Sequence, residues 1–195
     1  MQLIIISGPI GSGKSTVAKI FQNNDFYYLD SDTIAKNLIS ENSQIKNSLV
    51  KEFGNDILKD NKISFISLKS KLIESYENKN IIDRIVHPYF YKYINSYITS
   101  TPFKKIILEI PLISTAKSIT HPYKVIVVSA NVDIRLTRST ENNNQSKDSF
   151  DKINKLQKNE EFYADNSDYV IVNNGNINML TKDTERVINS IINHE

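Results

Sequence analysis

Cysteine and tryptophan are absent from this 195-residue chain, methionine occurs twice, and glycine and proline occur five times each. Without cysteine there are no disulfides, no thiolate metal site and no cysteine nucleophile, so any catalysis has to come from other groups. A surplus of one charge sign is missing too: 24 Lys and Arg against 22 Asp and Glu leave a formal net charge of +2. That excess is too small to argue for general nucleic-acid binding, but it allows a local basic site for a small phosphorylated ligand. No apolar run approaches the roughly 20 residues of a membrane span. Met1 leads into an apolar strand candidate, so no signal peptide is expected. The expectation is a cytoplasmic protein without a membrane or nucleic-acid partner. Internal repeats and a separate linker are also lacking, which points to one domain over residues 1–195.

Hydrophobic residues make up 39% of the chain, enough for an α/β core. Short apolar runs at Gln2 to Ser7, Phe26 to Leu29, Lys105 to Ile110, Lys124 to Ser129 and Tyr169 to Val172 read as strands, with helical patterning between them. Near-continuous Ile and Val suits strands buried on both faces of a parallel sheet. Between the second and third runs lies a mostly helical excursion, about residues 34–103, too long for a simple crossover. Within it Lys59 to Lys62 reads as a turn and Ser67 to Asn78 as a helix. Ile81 to Tyr97 reads as a second helix, interrupted or started near His87-Pro88. A polar, Asn-rich stretch, about residues 139–149, sits between helical patterns at Val132 to Arg138 and Phe150 to Phe162, where a lid is expected.

Three of the five glycines fall in Gly8-Pro9-Ile10-Gly11-Ser12-Gly13-Lys14-Ser15-Thr16, a complete G-x-x-x-x-G-K-[ST] loop behind the first strand. The glycines let the backbone turn its N–H groups inward, Lys14 reaches terminal phosphates, and the Ser15 hydroxyl is placed to ligate magnesium. Ser15 to Phe21 continues as a helix whose positive N-terminal end faces the same phosphates. Gly11, Ser12, Gly13, Lys14, Ser15 and Thr16 are therefore the candidate nucleotide-binding residues of a nucleoside triphosphate user.

Phosphoryl transfer further needs a cation and an acceptor-orienting carboxylate. Asp30 and Asp32 follow the second strand in Leu-Asp-Ser-Asp, at the end where open α/β sheets place their ligands. One can orient or deprotonate an acceptor hydroxyl while the other contacts the magnesium shell; either one alone also suits a helix cap. Glu109 closes the third strand, a position from which an acidic residue assists magnesium or its waters. Arg135 and Arg138 share one helical face before the expected lid, where a cation bridges the transferring phosphate or simply meets solvent. His87 beside Pro88 is a candidate for substrate phosphate or a packed histidine.

In this order the loop and its Val17-Ala18 continuation bring a family into view. The other elements are Leu29-Asp30-Ser31-Asp32 with Ile34-Ala35-Lys36, Phe53-Gly54, His87-Pro88, Pro111-Leu112, Gln157 and Ala164-Asp165. The set closes with Asp168-Tyr169-Val170-Ile171 and Asn173-Asn174-Gly175. From Gly8 to Gly175 the chain resembles the dephospho-coenzyme A kinase family, and the ordered set is more specific than the loop alone. The resemblance implies a P-loop sandwich with a five-stranded parallel sheet, a helical substrate-binding insertion and a lid. It implies transfer of the ATP γ-phosphate to the ribose 3′-hydroxyl of dephospho-coenzyme A, the last step of coenzyme A synthesis, with ATP and Mg2+ as cofactors. It assigns Asp32 as catalytic base, with Lys14 and Arg138 holding the phosphates and Ser15 on magnesium. The candidate magnesium set is then Ser15, Asp30 and Glu109. Lys36, His87, Pro111 and Leu112 belong to the acceptor side, and Asn174-Gly175 lies near the adenine.

The chain departs from the family pattern at three places. Asn142 stands where a second lid arginine is usual, Ile113-Ser114-Thr115 where a glutamate commonly follows Pro111-Leu112, and Phe65 where an arginine is usual. Arg135 and Lys147 are the candidates to supply the missing lid charge. The alternatives are another small-metabolite or nucleoside kinase on the same sandwich, or a nucleotide-binding protein with weakened transfer.

Overall fold

Residues 1–111, 113–143, 145–157 and 159–193 are described by a computed structural model, the side chains of 113–115, 142, 143 and 160 excepted. The chain opens with β1 (Gln2–Ser7), α1 (Lys14–Gln22) and β2 (Tyr27–Asp30), then enters α2 (Ser31–Glu41) and α3 (Ser43–Phe53). Two short strands follow, β3 (Leu58–Lys59) and β4 (Lys62–Ile63), then α4 (Phe65–Glu74) and α5 (Tyr76–Ser100). The remainder is β5 (Lys105–Glu109), β6 (Lys124–Ser129), α6 (Val132–Asn143), α7 (Lys147–Leu156), α8 (Glu160–Asp165), β7 (Tyr169–Val172) and α9 (Ile177–Asn193). Two compact units result: Met1–Asp30 with Pro102–Glu195, and Ser31–Thr101.

The first unit is built on a five-stranded parallel sheet in the order β2-β5-β1-β6-β7. From central β1 the chain builds β2 and β5 on one side and β6 and β7 on the other. The loop after β1 therefore opens at the point where the strand order reverses, the place where open α/β sheets hold ligands. Ile4, Ile6, Ile107, Ile126, Val128 and Ile171 of the sheet form one core with Val17, Phe21, Leu180, Ile188 and Ile191 of α1 and α9. Each such side chain contributes about 1.5–3 kcal/mol when fully removed from water. β7 is an edge of this sheet, and Val170 and Val172 on it are exposed, at 45% and 57%.

The second unit has its own core, in which Ile39, Ile45, Leu49, Ile57, Leu68, Ile82 and Val86 cluster. The Lys59 to Lys62 turn is the tip of a hairpin: Leu58 pairs with Ile63 and Lys59 with Lys62 around Asp60 and Asn61, whose φ angles are 50° and 59°. Both residues tolerate the left-handed region that a two-residue hairpin turn needs, and Lys46 Nζ donates to the Asn61 carbonyl at 2.5 Å.

Several expected boundaries move. The helix expected over Ser67 to Asn78 divides at Ser75, whose hydroxyl accepts from Asn78 N and caps α5. α5 then runs unbroken through Pro88, against the expected interruption. Its buried stripe, Ile82, Val86, Phe90, Ile94 and Ile98 at every fourth position, holds both halves in one helix while Pro88 faces solvent. That packing offsets a local cost of about 3 kcal/mol for an interior proline. The segment expected to be a lid is largely helical, since α6 extends to Asn143 and α7 starts at Lys147, capped by Ser146 accepting from Ser149 N. The helix expected over Phe150 to Phe162 is two helices, α7 and α8, the second capped by Asn159.

Candidate active site

β1 ends at Ser7, and the glycine-containing loop turns there into α1. Gly13 is the helix N-cap in the left-handed region, φ 97°, and a Cβ on it would lie 2.4 Å from Asn173 Nδ2. Only glycine satisfies both conditions. The first backbone bonds of α1 run from Thr16 N and Val17 N to Gly13 O. The amides ahead of them point off the helix end, the ready-made anion site of a helix start. Lys14 Nζ folds back to donate to Pro9 O at 3.2 Å, which uses one of its three donors. Ser15 is exposed at the start of the same helix.

Asn173, at the end of β7, supports this loop from below. It is 5% exposed and donates from Nδ2 to Ser12 O at 2.8 Å, while its N–H donates to Ser129 O at 2.7 Å. Arg138 grips the same residue: Nη1 donates to Asn173 O at 2.9 Å, and Nη2 donates to Asn173 Oδ1 at 3.3 Å and to Gly175 O at 3.4 Å. Arg138, expected on the phosphates, thus has donors engaged with the Asn173–Gly175 turn. Asn174 faces the loop after β6, accepting from Asn131 N at 2.8 Å and donating to Asn131 Oδ1 at 3.2 Å.

Arg135 does not project as a lid cation. It is 4% exposed, donating from Nε to Ala130 O at 2.9 Å and from Nη1 to Asn154 Oδ1 at 2.8 Å and Ile10 O at 3.4 Å. Its guanidinium lies 6.0 Å from the Phe150 ring centroid. A third side chain reaches the loop: Gln157 Oε1 accepts from Ile10 N at 2.8 Å.

Two carboxylates lie at the same edge of the sheet. Asp30 pairs with Glu109 across β2 and β5, and Glu109 is in register with Ile6 of β1, one residue before the strand's end. Tyr28 OH donates to Glu109 Oε2 at 2.5 Å, fixing the carboxylate's orientation. Among the described residues no group of three or more His, Cys, Asp and Glu could hold a metal by itself. The donor set of Asp30, Glu109 and Ser15 nevertheless suits magnesium, a hard cation that takes one or two carboxylates and leaves its other positions to water and phosphate oxygens. Beyond β5, Pro111 O accepts from Tyr163 OH at 3.0 Å, and burial pushes that phenol up to about 12, so it remains a donor at neutral pH. Leu112 and the Asn142 side chain lie outside the described residues.

The remaining expected residues belong to the second unit. Asp32 lies in the first turn of α2, and Lys36 follows four residues later on the same face, both exposed. On α5, Lys79, Asp83 and His87 form a ladder: Lys79 pairs with Asp83, and His87 Nε2 is 3.5 Å from Asp83 Oδ1. Burial lowers the His87 pKa below its ordinary value, with Asp83 opposing and Lys79 adding to the shift. Sequence reasoning did not single out Tyr28 or Tyr163, and it quoted Asn173 and Gln157 without a role.

With this geometry in hand, the match of a family model decides the lineage: the dephospho-CoA kinase model covers residues 2–179. The chain belongs to the dephospho-CoA kinase family. A dephospho-CoA kinase of Fusobacterium nucleatum is 33% identical over 195 residues, covering 98% of this chain and 99% of that protein. Among solved structures, a Thermus thermophilus protein is similar at a TM-score of 0.79 and 22% identity, covering 99% of this chain and 97% of that one. The dephospho-CoA kinase from Campylobacter jejuni is similar at a TM-score of 0.62 and 22% identity, covering 97% of each chain. At that identity both structures speak for the fold. As a member of a kinase family built on the P-loop, the chain uses ATP. No helix among the described residues is long and apolar enough to cross a membrane.

Proposed function

We propose that this chain transfers the γ-phosphate of ATP to the ribose 3′-hydroxyl of dephospho-CoA, giving CoA and ADP, the last step of CoA synthesis, in the cytoplasm. The observation that carries this reading is near-complete coverage by the family, together with the phosphate loop at the strand-order reversal.

In the proposed reaction the amides at the head of α1 and the Lys14 ammonium hold the triphosphate. Magnesium, when bound, would supply positive charge that offsets the negative charge developing on the transferring phosphoryl group. Ser15, Asp30 and Glu109 are the proposed protein ligands of that ion or of its waters, with Tyr28 orienting Glu109. Asp32 accepts the proton of the acceptor hydroxyl. Lys36 and His87 bind the acceptor, with Pro111 and Leu112 at its side. Arg138 reaches the nucleotide through the turn it already grips, where Asn174 and Gly175 lie near the adenine. The helical insertion over about residues 34–103 serves the acceptor, and the α6–α7 segment, about residues 139–149, closes as a lid.

ADP production coupled to a dye readout, with ATP, magnesium and dephospho-CoA, tests the assignment. ADP formed only when dephospho-CoA is present is the expected result; no acceptor-dependent ADP rejects it. Activity with nucleosides or other small alcohols instead would assign a different kinase on the same fold, and ATP binding without any turnover a nucleotide-binding role.

A further inference from the structure

Both main-chain polar groups of Ile10, at the tip of the phosphate loop, are held by side chains. Its N–H donates to Gln157 Oε1 at 2.8 Å, and its carbonyl accepts from Arg135 Nη1 at 3.4 Å. The same Arg135 nitrogen donates to Asn154 Oδ1 at 2.8 Å. Asn154 and Gln157 form the closing turn of α7, where Gln157 N donates to Asn154 O at 3.2 Å. Two links therefore join one residue of the loop to one turn of one helix, the first direct and the second through a buried guanidinium. The contact is tight on the α6 side as well: a Cβ on Gly11 would lie 2.4 Å from Arg135 O and 2.8 Å from Ser139 Oγ. Phe150 of α7, 1% exposed, lies under the Arg135 guanidinium.

Ile10 lies between the two glycines that begin the phosphate-binding turn, so its peptide orientation sets where the following amides point. A loop without Gln157 and Arg135 has more arrangements to lose when phosphate arrives, and its affinity falls accordingly. The coupling is reciprocal by thermodynamic necessity: if an ordered α7 tightens nucleotide binding, bound nucleotide orders α7 by the same factor.

We infer that the closing turn of α7 is a latch on the phosphate loop, with Gln157 and Arg135 as positioning residues that couple nucleotide affinity to the order of α7. The inference rests on the nucleotide-site reading above but not on the identity of the acceptor.

The test uses ADP with magnesium as probe, its affinity read by calorimetry and the protection of α7 amides by hydrogen exchange, in the full-length protein. Gln157→Met keeps side-chain length and removes the acceptor. It should raise the ADP Kd about fivefold, in line with loss of one hydrogen bond, and reduce ADP-induced protection of α7 by the same factor. Asn154→Ala, which leaves Gln157 in place, should move both quantities in the same direction, the Kd by about two- to fivefold, and it carries the test if Gln157→Met does not fold. An ADP Kd within twofold of wild type in either folded variant overturns the latch, as does unchanged ADP-induced protection of α7. A lower melting temperature with unchanged ADP affinity is what a merely structural role produces, and it also overturns it. Absence of dephospho-CoA turnover in the wild type would reject the acceptor assignment and leave these readouts intact.

Discussion

Lys14 and Asp32 serve different halves of the proposed reaction, and their removal separates the two. Lys14→Ala takes a cation from the phosphates in both ground and transition states, so nucleotide affinity and turnover should fall together. Asp32→Asn removes only the proton acceptor on the hydroxyl side. Its kcat should fall about 10²- to 10⁴-fold while ADP binding in calorimetry stays at the wild-type level; unchanged turnover would reject the role. Tyr28→Phe addresses the metal. The hydrogen bond from Tyr28 to Glu109 Oε2 orients a carboxylate that is a proposed magnesium ligand. Loss of such a partner typically weakens metal affinity about 10-fold or more. The magnesium concentration for half-maximal rate should rise accordingly, at little change in saturated rate. An unshifted magnesium titration would show that Glu109 does not serve the ion.

On α5 the partial burial of His87 makes stability respond to acid. The folded pKa of His87 is lowered chiefly by burial, so below the ordinary 6.5 the unfolded chain binds the proton more readily than the folded one. Stability is unaffected by this group above pH 6.5, falls as pH drops from 6.5 to the lowered folded value, and levels off beneath it. Urea unfolding across that window should show a shallower slope in His87→Gln than in the wild type. Equal slopes would place the acid response elsewhere.

Elements also differ in how plainly the sequence announces them. β1, β6 and β7 coincide with their expected limits because unbroken Ile and Val runs meet polar residues abruptly at both ends. The β3–β4 hairpin was legible only as a turn, since two-residue strands carry no periodicity. At Pro88 a local breaker pointed one way and a buried stripe of five residues the other, and packing decided. The loop of the candidate site was legible from its motif, and its carboxylates from their place at strand ends. Its supports were not. Arg135 reads as a solvated helix residue until its partner Ile10, 125 residues away, is known, and Asn173 meets Ser12 across 161 residues. Single-sequence patterns report neighbours along the chain, and these contacts exist only after the sheet has assembled.

For the molecule as a whole, ligand linkage gives a direct measure of the loop. ADP at about 100 times its Kd stabilises a protein that binds it only when folded by about 2.7 kcal/mol. For a chain of this size that corresponds to a melting temperature raised by roughly 5–10 °C. Lys14→Ala at the same ADP concentration should show little of this shift, whereas an undiminished shift would place the nucleotide elsewhere.

β7 has a consequence for handling the protein. An edge strand with the exposed valines Val170 and Val172 offers a template onto which a second chain can add its own strand. Slow, concentration-dependent clouding of purified samples should start there. Val170→Lys, which places a charge on that strand, should delay light scattering on storage without altering the kinetics; scattering that is indifferent to the substitution would put the adhesive surface elsewhere. The sheet that presents the phosphate loop at one end thus carries, along its outer margin, the strand from which such clouding is expected to start.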